Sequence, residues 1–367
     1  MLCLVKFKTL LTFLISSLFA GLILLFSDAA RLGVLNGLKL CVSTIIPSLF
    51  LFTAVMLFVA SSGVLRKMVR YIDPLSKFIF NLSGEQTAVM LMSFAAGYPV
   101  GARLTAELYD NGKVSKETAT RMLDFCINAG PAFILLAVGE VTLGSRADGV
   151  RLLFAHILSS LLTAIISGQI IKIYDKKDSQ KTNCNINIPD KSISDAFVDS
   201  VSAAAMTMLS VSAFVVLFSG IGEIIGSLAL PVKIRIFLRS ALEVTVGINF
   251  CTRATLTHAA FLLGFSGISV IFQVIATAKS FKPNPLRILL LRVWHGAFSA
   301  FIIFILEKLY PRNIETVLLG KPASGAMLYG SPVAAIALMF LGIVLICSTG
   351  KTKKLINSGK MTKNVIK

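Results

Sequence analysis

The sequence predicts an all-α, polytopic membrane protein. Of its 367 residues, 55% are hydrophobic and only 15% are charged, whereas soluble domains carry about 25% charged residues. The mean hydropathy is +0.82. Several uncharged stretches also approach or exceed the roughly 20 residues that a helix needs to cross a bilayer. Composition and segment length therefore indicate the same class.

The uncharged stretches fall into two groups by length. The shorter group is expected to form half-helices, re-entrant hairpins or tilted spans, since each is short for a full crossing. The longer stretches are Leu10 to Ser27, Leu40 to Leu65, Leu152 to Ile171, Ser200 to Gly222, Ala254 to Ala278 and Pro322 to Gly350. The shorter ones are Gln86 to Ala102, Phe125 to Gly139, Val244 to Thr252 and Val293 to Leu306.

The net charge of +18 does not indicate a nucleic-acid partner. The basic residues flank apolar stretches, which is the pattern of cytoplasmic loops and of contact with anionic lipids. The six cysteines form no CxxC pair, and the three histidines show no ligand spacing. The expected partner is thus the lipid bilayer, with no cofactor and no metal site.

A polar segment divides the chain. Residues 175–191 begin DKKDSQKTNCNINIPD and separate an N-terminal half, 1–174, from a C-terminal half, 192–350; a basic tail, 351–367, follows. The lysines in and before this linker place it in the cytoplasm.

The two halves are expected to be related and inverted. Three matches occur at similar separations: Ser48-Leu49-Phe50 with Ser212-Ala213-Phe214, Gly101 with Gly267, and Asn128 with His295. Internal duplication around broken helices is typical of secondary transporters. The alternative is that membrane helices resemble one another because they share a small alphabet.

The most informative motif is Gly97-Tyr98-Pro99-Val100-Gly101, which lies inside an uncharged run from Gln86 to Ala102. Two glycines and a proline oppose a continuous helix. Irregular backbone at membrane depth is tolerated only where it is buried in protein or lines a cavity. Gly97, Tyr98, Pro99 and Gly101 are therefore predicted to bind substrate.

A second interruption is predicted at Gly264-Phe265-Ser266-Gly267-Ile268-Ser269. Broken helices free backbone N–H groups that suit carboxylates or phosphates, so Ser266, Gly267 and Ser269 join the candidate site. For both interruptions the alternative is close helix packing through small residues.

Polar residues in apolar surroundings complete the candidate site. Arg103, Asn128, Glu243 and Gln273 all lie in or beside uncharged stretches. An ionisable residue within a bilayer is costly and marks a functional site. Alternatively, Glu243 and Arg103 lie at an interface, or Arg103 pairs with Glu107 one helical turn later. No GxSxG, HExxH or Walker motif is present, so no enzymatic activity is predicted.

Several of these segments together resemble the YlbJ family of sporulation integral membrane proteins, also called SpoVV. The likeness covers roughly Gly37 to Tyr310. The motifs that carry it are Ile46-Pro47-Ser48-Leu49-Phe50-Leu51-Phe52, Gly97-Tyr98-Pro99-Val100-Gly101-Ala102, Asn128-Ala129-Gly130-Pro131-Ala132-Phe133, Leu242-Glu243-Val244-Thr245-Val246-Gly247 and Phe265-Ser266-Gly267-Ile268-Ser269-Val270-Ile271-Phe272-Gln273. The Asn128-Ala129-Gly130-Pro131 stretch departs from the hydroxyl-rich Asn-Pro motif expected there.

The resemblance implies a Gate-type, nucleoside-recognition protein that acts in endospore formation. It also implies a multi-pass protein of the bacterial cell membrane, in the outer forespore membrane during sporulation, that moves dipicolinic acid towards the forespore. The expected partner is thus a small carboxylate substrate, with no coupling ion assigned. The alternatives are a nucleoside-type transporter, a non-transporting scaffold and a membrane enzyme.

Overall fold

The described part of the chain consists of helices and the irregular segments that connect them, as predicted. A computed structural model describes residues 2–62, 73–174, 192–252 and 255–311, and these residues contain no strand. The linker at 175–191, the apolar stretch Pro322 to Gly350 and the tail at 351–367 lie outside the described residues.

Within the described residues, five helical segments are long and apolar enough to cross a membrane, which confirms the polytopic class. Two shorter apolar helices, Thr9–Leu25 and Phe133–Thr142, add to them. The five segments are Ser27–Ser61, Arg146–Gln169, Ile193–Ser227, Leu256–Thr277 and Pro285–Leu309. The protein is therefore a multi-pass membrane protein.

Two N-terminal helices, α2 (Ser27–Leu40) and α3 (Ile46–Ser61), are joined by a π-helix into one continuous rod, which packs on a long central helix. Helix α1 is Leu2–Leu25, and the π-helix is Cys41–Ile45. The rod lies against α9, Ile193–Ser227. A Cβ atom added to Gly37 would lie 2.9 Å from the Val216 Cα atom. The approach is thus so close that only glycine fits, which is a common way to join membrane helices.

The next elements form a helical hairpin and an interrupted helix. Helix α4 spans residues 73–80. Helices α5 (Gly84–Ala96) and α6 (Tyr98–Asp110) then pack together and meet at Gly97. Helix α7 (Lys116–Met122) then leads through residues 123–132 to a π-helix, Phe133–Thr142. The long helix α8, Arg146–Tyr174, follows.

The same order of elements recurs after α9. Helices α10 (Val232–Leu242) and α11 (Val244–Asn249) meet at Glu243, and α12 (Leu256–Phe265) and α13 (Gly267–Thr277) meet at Ser266. The long helix α14, Pro285–Leu309, completes the set. A buried apolar core holds residues from both sets, among them Tyr98, Ile127, Val244 and Leu263. The core therefore surrounds the interruptions.

The element order gives correspondences different from those expected from residue letters. By position in the order, His295 in α14 corresponds to His156 in α8, 139 residues earlier, and not to Asn128. Likewise Gly267 corresponds to the interruption at 123–132 rather than to Gly101. The inverted relation of the halves stays a prediction.

Candidate functional site

The tip of the first hairpin is shaped by Gly97. Its φ of 93° lies in the region that favours glycine. A Cβ atom at this position would lie 3.3 Å from the Gly130 backbone nitrogen. Pro99 occupies the first turn of α6, where its missing N–H costs nothing because that group has no intrahelical partner. The predicted interruption at this motif is thus present, and its tip touches the interrupted segment 123–132.

The second hairpin turns at Glu243, a buried carboxylate. The side chain is 2% exposed. Its Oε1 atom accepts hydrogen bonds from the backbone N–H of Thr245 at 3.3 Å and from the Thr245 hydroxyl at 3.0 Å. Its Oε2 atom is buried and lacks a hydrogen-bond partner in the described part of the chain. An unpaired buried polar atom is costly and calls for an explanation.

The interrupted helix α12–α13 packs on this hairpin. Ser266 has a φ of 68° and Gly267 a φ of 83°. A Cβ atom on Gly267 would lie 3.0 Å from the Val244 backbone nitrogen. A left-handed conformation at the non-glycine residue Ser266 is a local strain that concentrates at functional sites.

These interruptions lie around a small cavity. Its free volume is about 40 Å³, which is room for only a few water molecules. Both hairpin tips contribute to the wall, together with α13, the rod and α9. The lining residues include Gly97, Tyr98, Pro99, Gly130, Phe133, Glu243, Thr245 and Gln273.

Five of the predicted site residues thus line one cavity: Gly97, Tyr98, Pro99, Glu243 and Gln273. Two others lie directly behind it. The Gln273 Nε2 atom donates a hydrogen bond to the Ser269 hydroxyl at 3.2 Å, and Gly267 touches the backbone at Val244. Residues that the sequence separates by more than a hundred positions are brought together.

Asn128 and Gly101 support the first interruption from outside the cavity wall. The Asn128 Nδ2 atom donates hydrogen bonds to the Ser93 hydroxyl at 2.9 Å and to the Phe125 carbonyl at 2.7 Å. A Cβ atom on Gly101 would collide with the Cys126 carbonyl oxygen. Both residues therefore hold the hairpin against segment 123–132, and for Gly101 close packing is the role that the structure displays.

Arg103 is placed away from the cavity. Its guanidinium is 3.2 Å from the Glu107 carboxylate and donates hydrogen bonds to the Ala203 carbonyl at 3.2 Å and the Thr207 hydroxyl at 3.3 Å. The side chain is one-third exposed. Pairing one helical turn along α6, the alternative weighed from the sequence, is the arrangement present.

Arg292 is the cation that the sequence analysis missed. It is 1% exposed, and it donates hydrogen bonds to the Ser266 hydroxyl at 2.9 Å, the Ile127 carbonyl at 2.7 Å and the Gly264 carbonyl. The two carbonyls belong to the two interruptions, so one guanidinium joins both. The available signal was an arginine well inside the apolar stretch of α14.

A pair of stacked histidines lies beside Arg292. The ring centroids of His156 and His295 are 4.6 Å apart. His156 Nε2 accepts a hydrogen bond from the Ala129 N–H at 2.9 Å. Arg292 can only donate, so the His295 Nδ1 atom, 3.1 Å away, accepts. The two histidines thus stack on each other, and His156 also binds a backbone N–H group. The described residues contain no group of three or more His, Cys, Asp or Glu that could hold a metal ion.

One further contact ties the first hairpin to the second interrupted helix. The Tyr98 hydroxyl donates a hydrogen bond to the Leu263 carbonyl at 2.8 Å. Leu263 lies in the last turn of α12, where carbonyls lack intrahelical partners. Tyr98 and Arg292 therefore satisfy neighbouring carbonyls at the same helix end.

The sequence of this chain resembles those of known proteins. A family described as Gate, nucleoside recognition, matches residues 42–175, which span the first hairpin, its interrupted helix and α8. The chain is also 26% identical to the sporulation integral membrane protein YlbJ of Bacillus subtilis (strain 168), over 319 residues that cover 74% of this chain and 76% of the relative. No solved structure matches this chain. The predicted resemblance is therefore confirmed: this multi-pass membrane protein matches the Gate family over residues 42–175 and is similar to a YlbJ sporulation integral membrane protein.

Proposed function

We propose that the chain is a carrier that moves a small solute across a membrane during endospore formation. The observation that carries the proposal is the meeting of both hairpin tips and segment 123–132 around one cavity, with the unpaired Glu243 oxygen and the Gln273 amide at its wall. Non-helical backbone around a cavity deep in a bundle is the usual construction of a transport site. The similarity to a sporulation integral membrane protein supports the cellular role.

The cavity is too small to hold a solute as it stands. Sites for small molecules usually measure about 300–1,000 Å³, far above the 40 Å³ present. Solute binding then requires the hairpin tips to separate. Alternating movement of one hairpin and then the other would open the cavity to each side in turn.

For the solute we propose dipicolinic acid, moved across the outer forespore membrane. Its ring suits apolar lining residues such as Tyr98 and Phe133, and its carboxylates suit backbone N–H groups freed at the helix starts. A carboxylate beside Glu243 is favourable only when Glu243 carries a proton and donates a hydrogen bond. Tyr98 and Cys41 are the other titratable groups near this carboxyl. Uptake is therefore expected to carry a proton along.

A nucleoside is the second candidate solute. The Gate family is described as nucleoside recognition, and the wall of the cavity offers Gln273 and Thr245 as neutral hydrogen-bonding groups. A sugar hydroxyl would donate its hydrogen bond to an ionised Glu243. The two solutes thus require opposite protonation states of the same carboxyl group.

Glu243→Gln separates the two solutes, because glutamine imitates the protonated acid. With the full chain in liposomes, the variant is expected to keep dipicolinate uptake within about threefold while losing the dependence of uptake on pH. For a nucleoside carrier the same change removes an ionic acceptor and lowers uptake by about tenfold or more, since hydrogen bonds to charged groups contribute about 1.5–3 kcal/mol. Uptake of neither solute by the wild-type protein would reject both proposals.

The cavity itself is tested by a matched pair of glutamine variants. Gln273→Ala alters the wall of the cavity, whereas Gln169→Ala alters an exposed position on α8. We expect uptake to fall about tenfold for Gln273→Ala and to stay unchanged for Gln169→Ala. Arg103→Ala is expected to behave as the control does. Equal uptake by Gln273→Ala and Gln169→Ala would place the transport site elsewhere.

A further inference from the structure

The central cavity continues into two larger spaces that the proposed function does not use. A second cavity, of about 240 Å³, shares Phe133 and Thr245 with the central one. A third, of about 340 Å³, shares Leu40, Ser43 and Asn249 with the second. Because they share lining residues, the three spaces lie side by side, in a row that leads from Glu243 to the surface of the bundle. We call the outermost space, around Asn36, Lys39, Ser43 and Asn249, the vestibule.

The vestibule contains a lysine at the edge of an apolar span. Lys39 lies in the candidate membrane segment Ser27–Ser61, one residue before the uncharged stretch that begins at Leu40, and its exposed side chain lines the vestibule. It has no hydrogen bond or ion pair with any described residue. An exposed lysine beside an open cavity adds a positive potential there.

The other charges of the vestibule neutralise each other. Arg239 and Glu223 both line it, and their side chains form an ion pair at 2.5 Å. Lys39 is thus left as its uncompensated charge. Asn36, Ser43 and Asn249 add neutral hydrogen-bonding groups, which can solvate an anion without opposing its charge.

We propose that this vestibule is an anion-selective access path to the central cavity, with Lys39 as its attracting charge. The ligand class is a small organic carboxylate. A charge in a concave site with low-dielectric walls raises the local concentration of the opposite ion and its rate of arrival. This inference rests on the proposed transport of a carboxylate and names the route by which that solute reaches Glu243.

The test measures charge selectivity without any solute. Ser43→Cys places a thiol in the vestibule, and its reaction rates with an anionic and a cationic methanethiosulfonate are compared on the purified full chain, after subtraction of the native cysteines' labelling. We expect the anionic-to-cationic rate ratio to exceed that of Ser194→Cys, at the opposite end of α9. Adding Lys39→Gln should lower the ratio about fivefold, whereas Lys233→Gln, which removes an exposed charge on α10, should not change it.

A charge-retaining variant and a salt series complete the test. Lys39→Arg retains the charge and should restore the ratio, and raising the salt concentration should lower the ratio with Lys39 intact because ions screen its field. If Lys39→Gln is misfolded, the salt series on the unaltered lysine still decides. An unreactive thiol at both Ser43→Cys and Asn249→Cys, or a ratio indifferent to Lys39 and to salt, overturns the vestibule. The liposome uptake assay separately decides whether the protein is a carrier.

Discussion

The two interruptions in the core of this protein are formed by different kinds of residue. The first, where Gly97 meets segment 123–132, depends on glycines, a proline and a neutral amide, with backbones in near contact. The second, where Glu243 meets Ser266, brings a buried carboxylate and lies within reach of the buried Arg292 guanidinium. The first half of the molecule thus supplies shape, and the second half supplies charge. Substitutions that change volume should therefore damage the first interruption, and substitutions that remove charge the second.

The largest expected effect concerns the charge that joins both interruptions. Arg292→Leu substitutes a shorter, apolar side chain and leaves the Ser266 hydroxyl and two carbonyls without their donor. Each buried unsatisfied group costs about 1–3 kcal/mol, so we expect a loss of about 3 kcal/mol or more. Thermal melting in detergent measures it. Arg103→Leu, at a partly exposed arginine, is the matched control and should lower stability by about 1 kcal/mol or less. Equal melting of the two variants would remove the central role assigned to Arg292.

A smaller effect is expected from adding one methyl group to the first interruption. Gly101→Ala drives a Cβ atom into the Cys126 carbonyl, and overpacking of this kind costs about 1–3 kcal/mol. Gly222→Ala is the control, because a Cβ atom there meets nothing within 4 Å. In a helix that change should be neutral or stabilising by up to about 1 kcal/mol. If both alanine variants melt alike, the shape of the first interruption is less constrained than the contact implies.

The smallest effect concerns an ion pair that links the two halves. Asp124, just after α7, lies 2.7 Å from the Arg287 guanidinium of α14. Burial raises the pKa of the Asp124 carboxyl from 3.8 to about 6, and Arg287 offsets only part of that rise. The folded state therefore binds more protons than the unfolded state between about pH 4 and pH 6. The contribution of this carboxyl is present below pH 4 and is lost as the pH rises through about 6.

Asp124→Asn tests this linkage. Relative to the variant, the wild-type protein should lose about 2–4 °C of melting temperature between pH 4 and pH 7. Melting curves of both proteins across this range, in one buffer series, give the difference directly. A constant difference across the range would show that Asp124 titrates near its ordinary pKa and that its burial has little energetic consequence.

The sequence predicts the interruptions well because their causes are local. Two glycines and a proline in an uncharged run are enough to indicate the turn at Gly97, and a glutamate among apolar residues indicates Glu243. Pairing of Arg103 with Glu107 is also visible from helical spacing. These features depend on residues within a few positions of one another.

Other parts of the site could not be predicted, because their partners are backbone groups far away in the chain. Arg292 binds carbonyls at Ile127 and Gly264, and His156 binds the N–H of Ala129. Backbone carbonyl and amide groups are common to nearly all residues, so contacts with them leave no sequence motif. The lysine of the vestibule was overlooked for a related reason: Lys39 adjoins the uncharged stretch that begins at Leu40 and resembles an ordinary flank.

The hydrogen bond between the Tyr98 hydroxyl and the Leu263 carbonyl has a consequence for affinity. While it holds, the first hairpin and the interrupted helix stay together and the cavity admits little more than water. Under the proposed function, a solute binds only the fraction of molecules in which this hydrogen bond is broken, and its measured dissociation constant is weakened by that fraction. Removing this hydrogen bond would lower the stability of the protein and, at the same time, increase its affinity for the proposed solute.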